Sequence, residues 1–227
     1  MKKEKFEKNP LYEYRFGGKS ENSTALFCLF LALIFVVVFA FRAFWTSSFG
    51  YVRVDGESME STLSSGEWLL MQYGKEAQRG DVIVVDVRKY KTDEYKDEVI
   101  NPFGEKTEFL IKRLMAIEGD SIKCENGVVY IKYAGKTEYV PHPADGYAKD
   151  KYTKDFGEYV VGKGEIFFLG DNRAVSRDSR YNEDSHPHFK RLYRVEDIYA
   201  IVPEWAIERR GFFSVAPKVS EWLQKNF

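Results

Sequence analysis

Phe109-Leu110-Ile111-Lys112-Arg113-Leu114-Met115-Ala116-Ile117 is an apolar run interrupted by two adjacent cations. Its composition reads as a β-strand. The alternation of a pleated strand then places Lys112 on the same face as Leu110, Leu114 and Ala116. A free lysine amine, with a pKa of about 10.4, is protonated at neutral pH and cannot accept a proton, but apolar surroundings lower that value by several units. Lys112 is therefore a candidate base. Taken alone, the Lys112-Arg113 pair reads rather as a solvated strand lysine beside an arginine, so the rest of the chain has to decide.

Upstream, Gly56-Glu57-Ser58-Met59 places a serine in a loop that follows the alternating apolar positions Val52 and Val54. A serine presented on such a turn is exposed to a substrate, and serine with a desolvated lysine is a hydrolytic pairing. The remaining apolar runs are short and separated by Gly-containing turns. Trp68–Met71, Val82–Val87, Phe109–Ile117, Val128–Ile131, Ile166–Leu169 and Ile198–Val202 are the expected strands. Asn126-Gly127, between Ile122-Lys123-Cys124 and Val128-Val129-Tyr130, is a two-residue hairpin turn. The expected fold is all-β, a mainly antiparallel twisted sheet. Lys89–Glu108 and Pro141–Gly157, both rich in charge with Pro and Gly, read as surface loops. Ile207–Phe227 is too short and broken to span a membrane and reads as a surface helix or peripheral contact.

One segment stands apart from this pattern. Ala25–Phe41 is uninterruptedly apolar, and Arg42 with Ala43, Phe44 and Trp45 extends the run if the arginine snorkels. About 21 helical residues cover roughly 31 Å, the thickness of a bilayer's hydrocarbon core. The run is longer than the apolar part of a cleavable signal, and no Ala-x-Ala site follows closely. Lys2, Lys3, Lys5, Lys8, Arg15 and Lys19 precede it, whereas only Arg42 and Arg53 follow before Ser58. That bias keeps the N-terminus in the cytoplasm. The expected organisation is a cytoplasmic segment at 1–23, one transmembrane helix at 24–45 and an extracytoplasmic domain at 46–227.

Lys and Arg number 34 against 35 Asp and Glu, without a basic stripe or a helix-turn-helix pattern, so no nucleic-acid partner is expected. Cys28 lies in the apolar run and Cys124 is alone beyond it, which leaves no intrachain disulfide for the exported part. The histidines are His142, His186 and His188, and no cysteine cluster accompanies them. No metal site and no cofactor are expected, and His186 and His188, flanking Pro187 in a polar loop, read as solvated.

Four blocks occur in order: GESMESTL at 56–63, RGDVIVV at 79–85, IKRLMAIEGD at 111–120 and GDNRAVSRDSR at 170–180. With the N-terminal membrane helix, they resemble the bacterial type I signal peptidases, membrane-bound serine proteases that remove signal peptides from exported preproteins. The resemblance covers nearly the whole chain. It implies Ser58 as nucleophile, Lys112 as general base, Ser176 as the serine that hydrogen-bonds and orients the lysine amine, and Asp178 with Arg180 as a supporting salt bridge. It also implies a cell-membrane location, secretory preproteins with small residues before the cleaved bond as substrates, contact with membrane lipid, and the export translocon as a further candidate partner. By the same resemblance the Ser58 N–H is one oxyanion donor.

The chain departs from the family's pattern at several positions. Gly56 stands where some relatives carry a serine that supplies a second oxyanion donor. Glu60 and Ser61 occupy the position of a usual proline, as does Glu118 before Gly119-Asp120, and Tyr181-Asn182-Glu183 lacks a usual glycine. None of these changes removes a reacting group. Val52, Val54 and the strand from Val82 are candidates for the apolar lining of a substrate pocket. Two other enzymes are disfavoured. A self-cleaving repressor of the Ser–Lys group would need a DNA-binding segment in place of the membrane helix, and the endoplasmic-reticulum signal peptidase has histidine where Lys112 stands. The remaining alternative is a catalytically weak, membrane-anchored binding paralogue of the same fold.

Overall fold

The structure, a computed structural model, describes residues 21–88, 109–180 and 193–226. It divides into two units, Met1–Ser47 and Ser48–Phe227. In the first unit the described residues belong to one helix, α1 (Glu21–Ser48). Within it, Thr24–Ser48 is 25 residues long, and its most apolar 18 consecutive residues have a mean hydropathy of 3.0, long and apolar enough to cross a bilayer. Near its end Thr46 Oγ1 donates back to the Arg42 carbonyl at 3.0 Å and Ser47 Oγ to the Phe44 carbonyl at 3.0 Å, so both hydroxyls are satisfied by the preceding turn of the helix.

The second unit is built on two antiparallel sheets. Its strands are β1 (Phe49–Arg53), β2 (Trp68–Gln72), β3 (Val82–Asp86), β4 (Phe109–Ile117), β5 (Ser121–Glu125), β6 (Val128–Lys132), β7 (Val140–Pro141), β8 (Phe156–Val160), β9 (Ile166–Leu169) and β10 (Ile198–Val202). The larger sheet runs β1-β2-β10-β3-β4-β9 and the smaller β7-β6-β5-β8. Three short helices close the chain: α2 (Glu204–Glu208), α3 (Arg210–Phe213) and α4 (Val215–Asn226).

All six expected strands are present within a residue at their ends, and Asn126 (φ 54°) and Gly127 (φ 79°) make the β5–β6 turn with positive φ at both positions. The expectation for Pro141–Gly157 needs correction. The segment holds a 3₁₀ turn at Pro143–Tyr147 and the start of β8, and it buries His142, Ala144, Ala148 and Thr153. His142 anchors it: Nε2 lies 2.7 Å from the Met115 carbonyl while Nδ1 accepts from the Ala144 N–H at 3.0 Å. Those partners require a neutral ring with the proton on Nε2, and burial holds the pKa below its usual value. Lys89–Glu108, His186, His188 and the stretch Tyr181-Asn182-Glu183 lie outside the described residues.

β4 organises the core. Ile111 packs with Met59, Leu63, Val82 and Val84, whereas Leu110 and Leu114 pack with Ile83, Val85, Phe168 and Ile201. A register shift between Leu114 and Ala116 then breaks the alternation, so Ala116 joins Met115, Ile122, Val129 and Phe167 in a third cluster, with the second sheet. The expected single face for Leu110, Lys112, Leu114 and Ala116 therefore ends at Leu114. The bulge lets one strand serve two cores.

The chain passes from β4 to β5 through Glu118-Gly119-Asp120. Gly119 has φ +84°, and a Cβ there would also approach Ala134 Cβ to 3.0 Å, so glycine is required twice over. Asp120, fully buried, holds the corner: it accepts from the Ile117 N–H at 3.0 Å, the Ala134 N–H at 3.0 Å, and Arg79 Nε and Nη2 at 2.6 and 2.8 Å. Arg79 of the second sequence block thus clamps Asp120 of the third. Asp120→Ala leaves the Ile117 and Ala134 amides and the Arg79 guanidinium without their acceptor, at a cost of about 2 kcal/mol. Urea denaturation should show that loss, and a midpoint unchanged from wild type would refute the corner's role.

Candidate active site

Three sequence blocks meet at the N-terminal half of β4. Residues 56–63 form a tight turn, with Thr62 N and Leu63 N both donating to the Met59 carbonyl at 3.0 and 2.9 Å, and the Met59 and Leu63 side chains anchor it in the core. Ser58 is left half-buried at its rim. Lys112, 4% exposed, extends from β4 so that Nζ lies 2.7 Å from Ser58 Oγ and 3.1 Å from the Ile111 carbonyl. Burial drives the Lys112 amine down to about 8, against the opposing pull of the Asp178 and Asp171 carboxylates. The two residues singled out in the sequence are therefore in hydrogen-bond contact, and the lysine is poised near neutrality.

The fourth block supplies the support. The Asn172 N–H donates to the Ser58 carbonyl at 3.0 Å, tying the serine's backbone to the turn after β9. Asp178 accepts from the Gly170 N–H at 3.0 Å and from Arg180 Nε and Nη2 at 2.8 and 3.0 Å, and Arg180 also reaches the Arg173 carbonyl at 2.7 Å. The expected Asp178–Arg180 ion pair is thus present and stiffens this loop. Ser176 is buried beside the same turn, but its hydroxyl has no hydrogen-bond partner among the described residues, so its expected bond to the Lys112 amine is not made here. Gly170 explains how these groups fit: it follows Leu169, the partner of Arg113, and a Cβ on it would collide with Ser176 Oγ and the Ser58 carbonyl.

Other contributors were not singled out in the sequence. Arg113 is 3% exposed, and its guanidinium makes a bidentate pair with the fully buried Asp171 at 2.8 and 2.6 Å, donates to the Gly80 carbonyl at 2.7 Å and lies 3.7 Å from the Tyr147 ring centre. Thr62 Oγ1 donates to the same carboxylate at 2.5 Å. This network joins the serine turn, β4 and the GDN turn. A signal was available: a cation in a strand with apolar residues on both faces requires a buried acceptor, and the aspartate of GDN is one of few candidates.

The residues at the departing positions have contacts of their own. Glu60 Oε2 pairs with Lys149 Nζ at 2.6 Å, and Glu118 Oε2 accepts from the Gly164 N–H at 2.8 Å. Gly56 (φ +81°) has open space where a side chain would stand, and the Ser58 N–H donates to no described residue. Of the expected lining, Val54 and Val82 are buried with Met59 and Leu63 and back the serine turn rather than form an open wall, whereas Val52 is half-buried against the same cluster. No cluster of His, Cys, Asp and Glu among the described residues could hold a metal.

Residues 24–192 match the family of the signal peptidases, peptidase S26. The chain belongs to that family. Among its curated relatives are signal peptidase I of Bacillus licheniformis, 32% identical over 71% of this chain and 82% of the relative, and signal peptidase I P of Bacillus subtilis subsp. natto, 30% identical over 66% and 75%. A crystal structure of a signal peptidase I from Enterococcus faecalis aligns with 57% of this chain and 98% of its own, at 22% identity and a TM-score of 0.37. All four sequence blocks lie inside the span matched to the family.

The packing around Gly170 yields a test. Gly170→Ala forces Ser176 or the serine turn to move, which costs about 1–3 kcal/mol by overpacking. A folded variant should lose most peptidase activity because the Ser58–Lys112 contact shifts. Wild-type activity and stability together would show that the close approach is dispensable.

Proposed function

We propose that this protein is a membrane-bound endopeptidase that removes signal peptides from exported preproteins, with Ser58 as nucleophile and Lys112 as general base. The observation that carries the reading is the 2.7 Å contact between Ser58 Oγ and a buried Lys112 amine whose pKa is lowered to about 8. When the amine is neutral, the Ser58 hydroxyl donates to its lone pair. Attack of Oγ on the scissile carbonyl passes that proton to Nζ, and the resulting ammonium returns it to the departing amine, leaving an ester on Ser58. Water then attacks the ester while Lys112 accepts its proton. The acid product leaves as Ser58 is regenerated.

The oxyanion that forms twice in this cycle needs donors aimed at it, and the Ser58 N–H is placed on the reacting residue itself. Gly56 contributes no side-chain donor. Asp178, Arg180 and the Arg113–Asp171 pair act as positioning groups that fix the serine turn against β4, and the family resemblance assigns Ser176, buried against Gly170 beside the Ser58 carbonyl, the role of orienting the lysine. Family membership supports preproteins with small residues before the cleaved bond as substrates. The α1 helix supports a single-pass anchor. With the N-terminal lysines inside, residues 46–227 face the exterior together with lipid and the export machinery.

At pH 7 only about a tenth of a lysine with pKa 8 is neutral, so kcat/KM for a preprotein should rise close to tenfold between pH 7 and 9 and then level. Ser58→Ala and Lys112→Met should each abolish cleavage by several orders of magnitude, and the double variant should be no worse, since the two act as a unit. Mass spectrometry of the new N-terminus reads the cleavage. A Lys112→Met protein that keeps substantial activity and the same pH profile would falsify the dyad, and a folded wild-type chain without turnover would favour the binding paralogue.

The topology has its own check. Protease added to intact spheroplasts should digest the domain beyond Thr46. Protection there, with digestion only after lysis, would reverse the orientation.

A further inference from the structure

The C-terminal helices carry their apolar residues on the wrong side for a soluble surface. In α4, Val215, Val219 and Trp222 recur at spacings of four and three, which puts them on one stripe, and Leu223 widens it to an arc of about 100°. An amphipathic helix on a water-soluble domain turns such a stripe inward. Here the stripe is outward: Val215 is 57% exposed, Val219 51%, Trp222 58% and Leu223 46%. The opposite side, with Pro217 and Glu221, is the less exposed one, and it is held to the domain by polar contacts, Glu221 pairing with Arg53 of β1 at 3.4 Å and accepting a hydrogen bond from Trp68. Just before α4, Phe212 is 76% exposed.

What covers this face is indicated by where the chain places it. Phe49, the residue that follows the apolar helix directly, packs edge-on against Trp205 at 6.4 Å between ring centres. Trp205 packs in the same manner against Phe213 at 5.4 Å, and Phe213 against Phe212 at 5.2 Å. A continuous chain of aromatic rings thus leads from the first residue beyond α1 to the exposed start of the apolar stripe. If α1 spans the bilayer, Phe49 lies at its surface by covalent continuity. The ring chain and the Arg53–Glu221 pair then keep α3 and α4 beside the same surface, where aromatic side chains partition well. Arg209, Arg210, Lys218 and Lys225 supply the cationic flank usual for a helix lying in a lipid headgroup layer.

We propose that α3 and α4 form a second membrane contact, an interfacial helix whose Phe212, Val215, Val219, Trp222 and Leu223 insert into the headgroup and upper acyl region of the bilayer that α1 crosses. The inference rests on the reading of α1 as a membrane anchor, and the test separates the two.

Full-length protein is reconstituted into phosphatidylcholine–phosphatidylglycerol vesicles whose acyl chains carry bromine near the headgroup. The difference in emission between wild type and Trp222→Phe isolates Trp222. The expected result is a blue-shifted Trp222 signal quenched by bromine, with the quenching lost in Val219→Asp while that variant stays in the vesicles after alkaline carbonate. An unquenched, water-like Trp222 signal in carbonate-resistant protein overturns the interfacial helix and leaves the anchor standing. A blue-shifted but unquenched signal that depends on protein-to-lipid ratio overturns it in favour of a second copy of this chain. Release of wild type by carbonate overturns the anchor instead.

Discussion

Two adjacent cations buried on one strand, treated in opposite ways, are the constraint around which the domain is arranged. Arg113 is neutralised by a bidentate aspartate, a backbone carbonyl and an aromatic face. Lys112 receives a hydroxyl and one carbonyl, and the carboxylates of Asp171 and Asp178 influence it only through space. Lowering its pKa from 10.5 to about 8 corresponds to roughly 3 kcal/mol of disfavour for the charged form. The paired arginine makes the neighbouring amine tolerable: it absorbs Asp171, which would otherwise be free to approach the lysine and keep it charged. Separation of the two roles over one residue follows from the pleat, which sends consecutive side chains to opposite faces.

Most of the fold was legible because short apolar runs between Gly-containing turns have few other readings, and Asn126-Gly127 defined its hairpin directly. What escaped depended on long-range partners. β8 sits in a stretch whose composition, from Asp155 to Glu158, looks like solvated loop, yet it pairs with β5. His142 and Thr153 appear polar and exposed in the sequence but are buried by partners far along the chain. The break in alternation at Met115 could not be read either, since a bulge leaves no mark in Leu114-Met115-Ala116-Ile117, which is apolar at every position.

The candidate site was legible in the two groups proposed to react and less so in its scaffold. Ser58 and Lys112 stood out because each is chemically unusual in its context, a serine on a glycine turn and a lysine in an apolar strand. Asp178 and Arg180 came from resemblance, and the structure gives them a physical reason: their ion pair also caps the Gly170 amide. Arg113, Asp171 and Thr62 were missed because a Lys-Arg doublet is ordinarily read as one solvated unit. Arg79 and Asp120 lay in separate blocks, and only the β4–β5 corner explains why both are present.

The direct passage from α1 into β1, with Ser48 ending one and Phe49 starting the other, has a bearing on how substrate is found. Ten residues separate Ser48 from Ser58, and even fully extended chain covers only about 35 Å over that length. If Ser58 is the nucleophile and α1 the membrane anchor, as proposed, the reacting group sweeps only a thin layer of space beside the bilayer. A preprotein held by its own apolar signal in the same bilayer would occupy that layer too, so encounter would become lateral diffusion in a plane and a low affinity for the peptide itself would suffice.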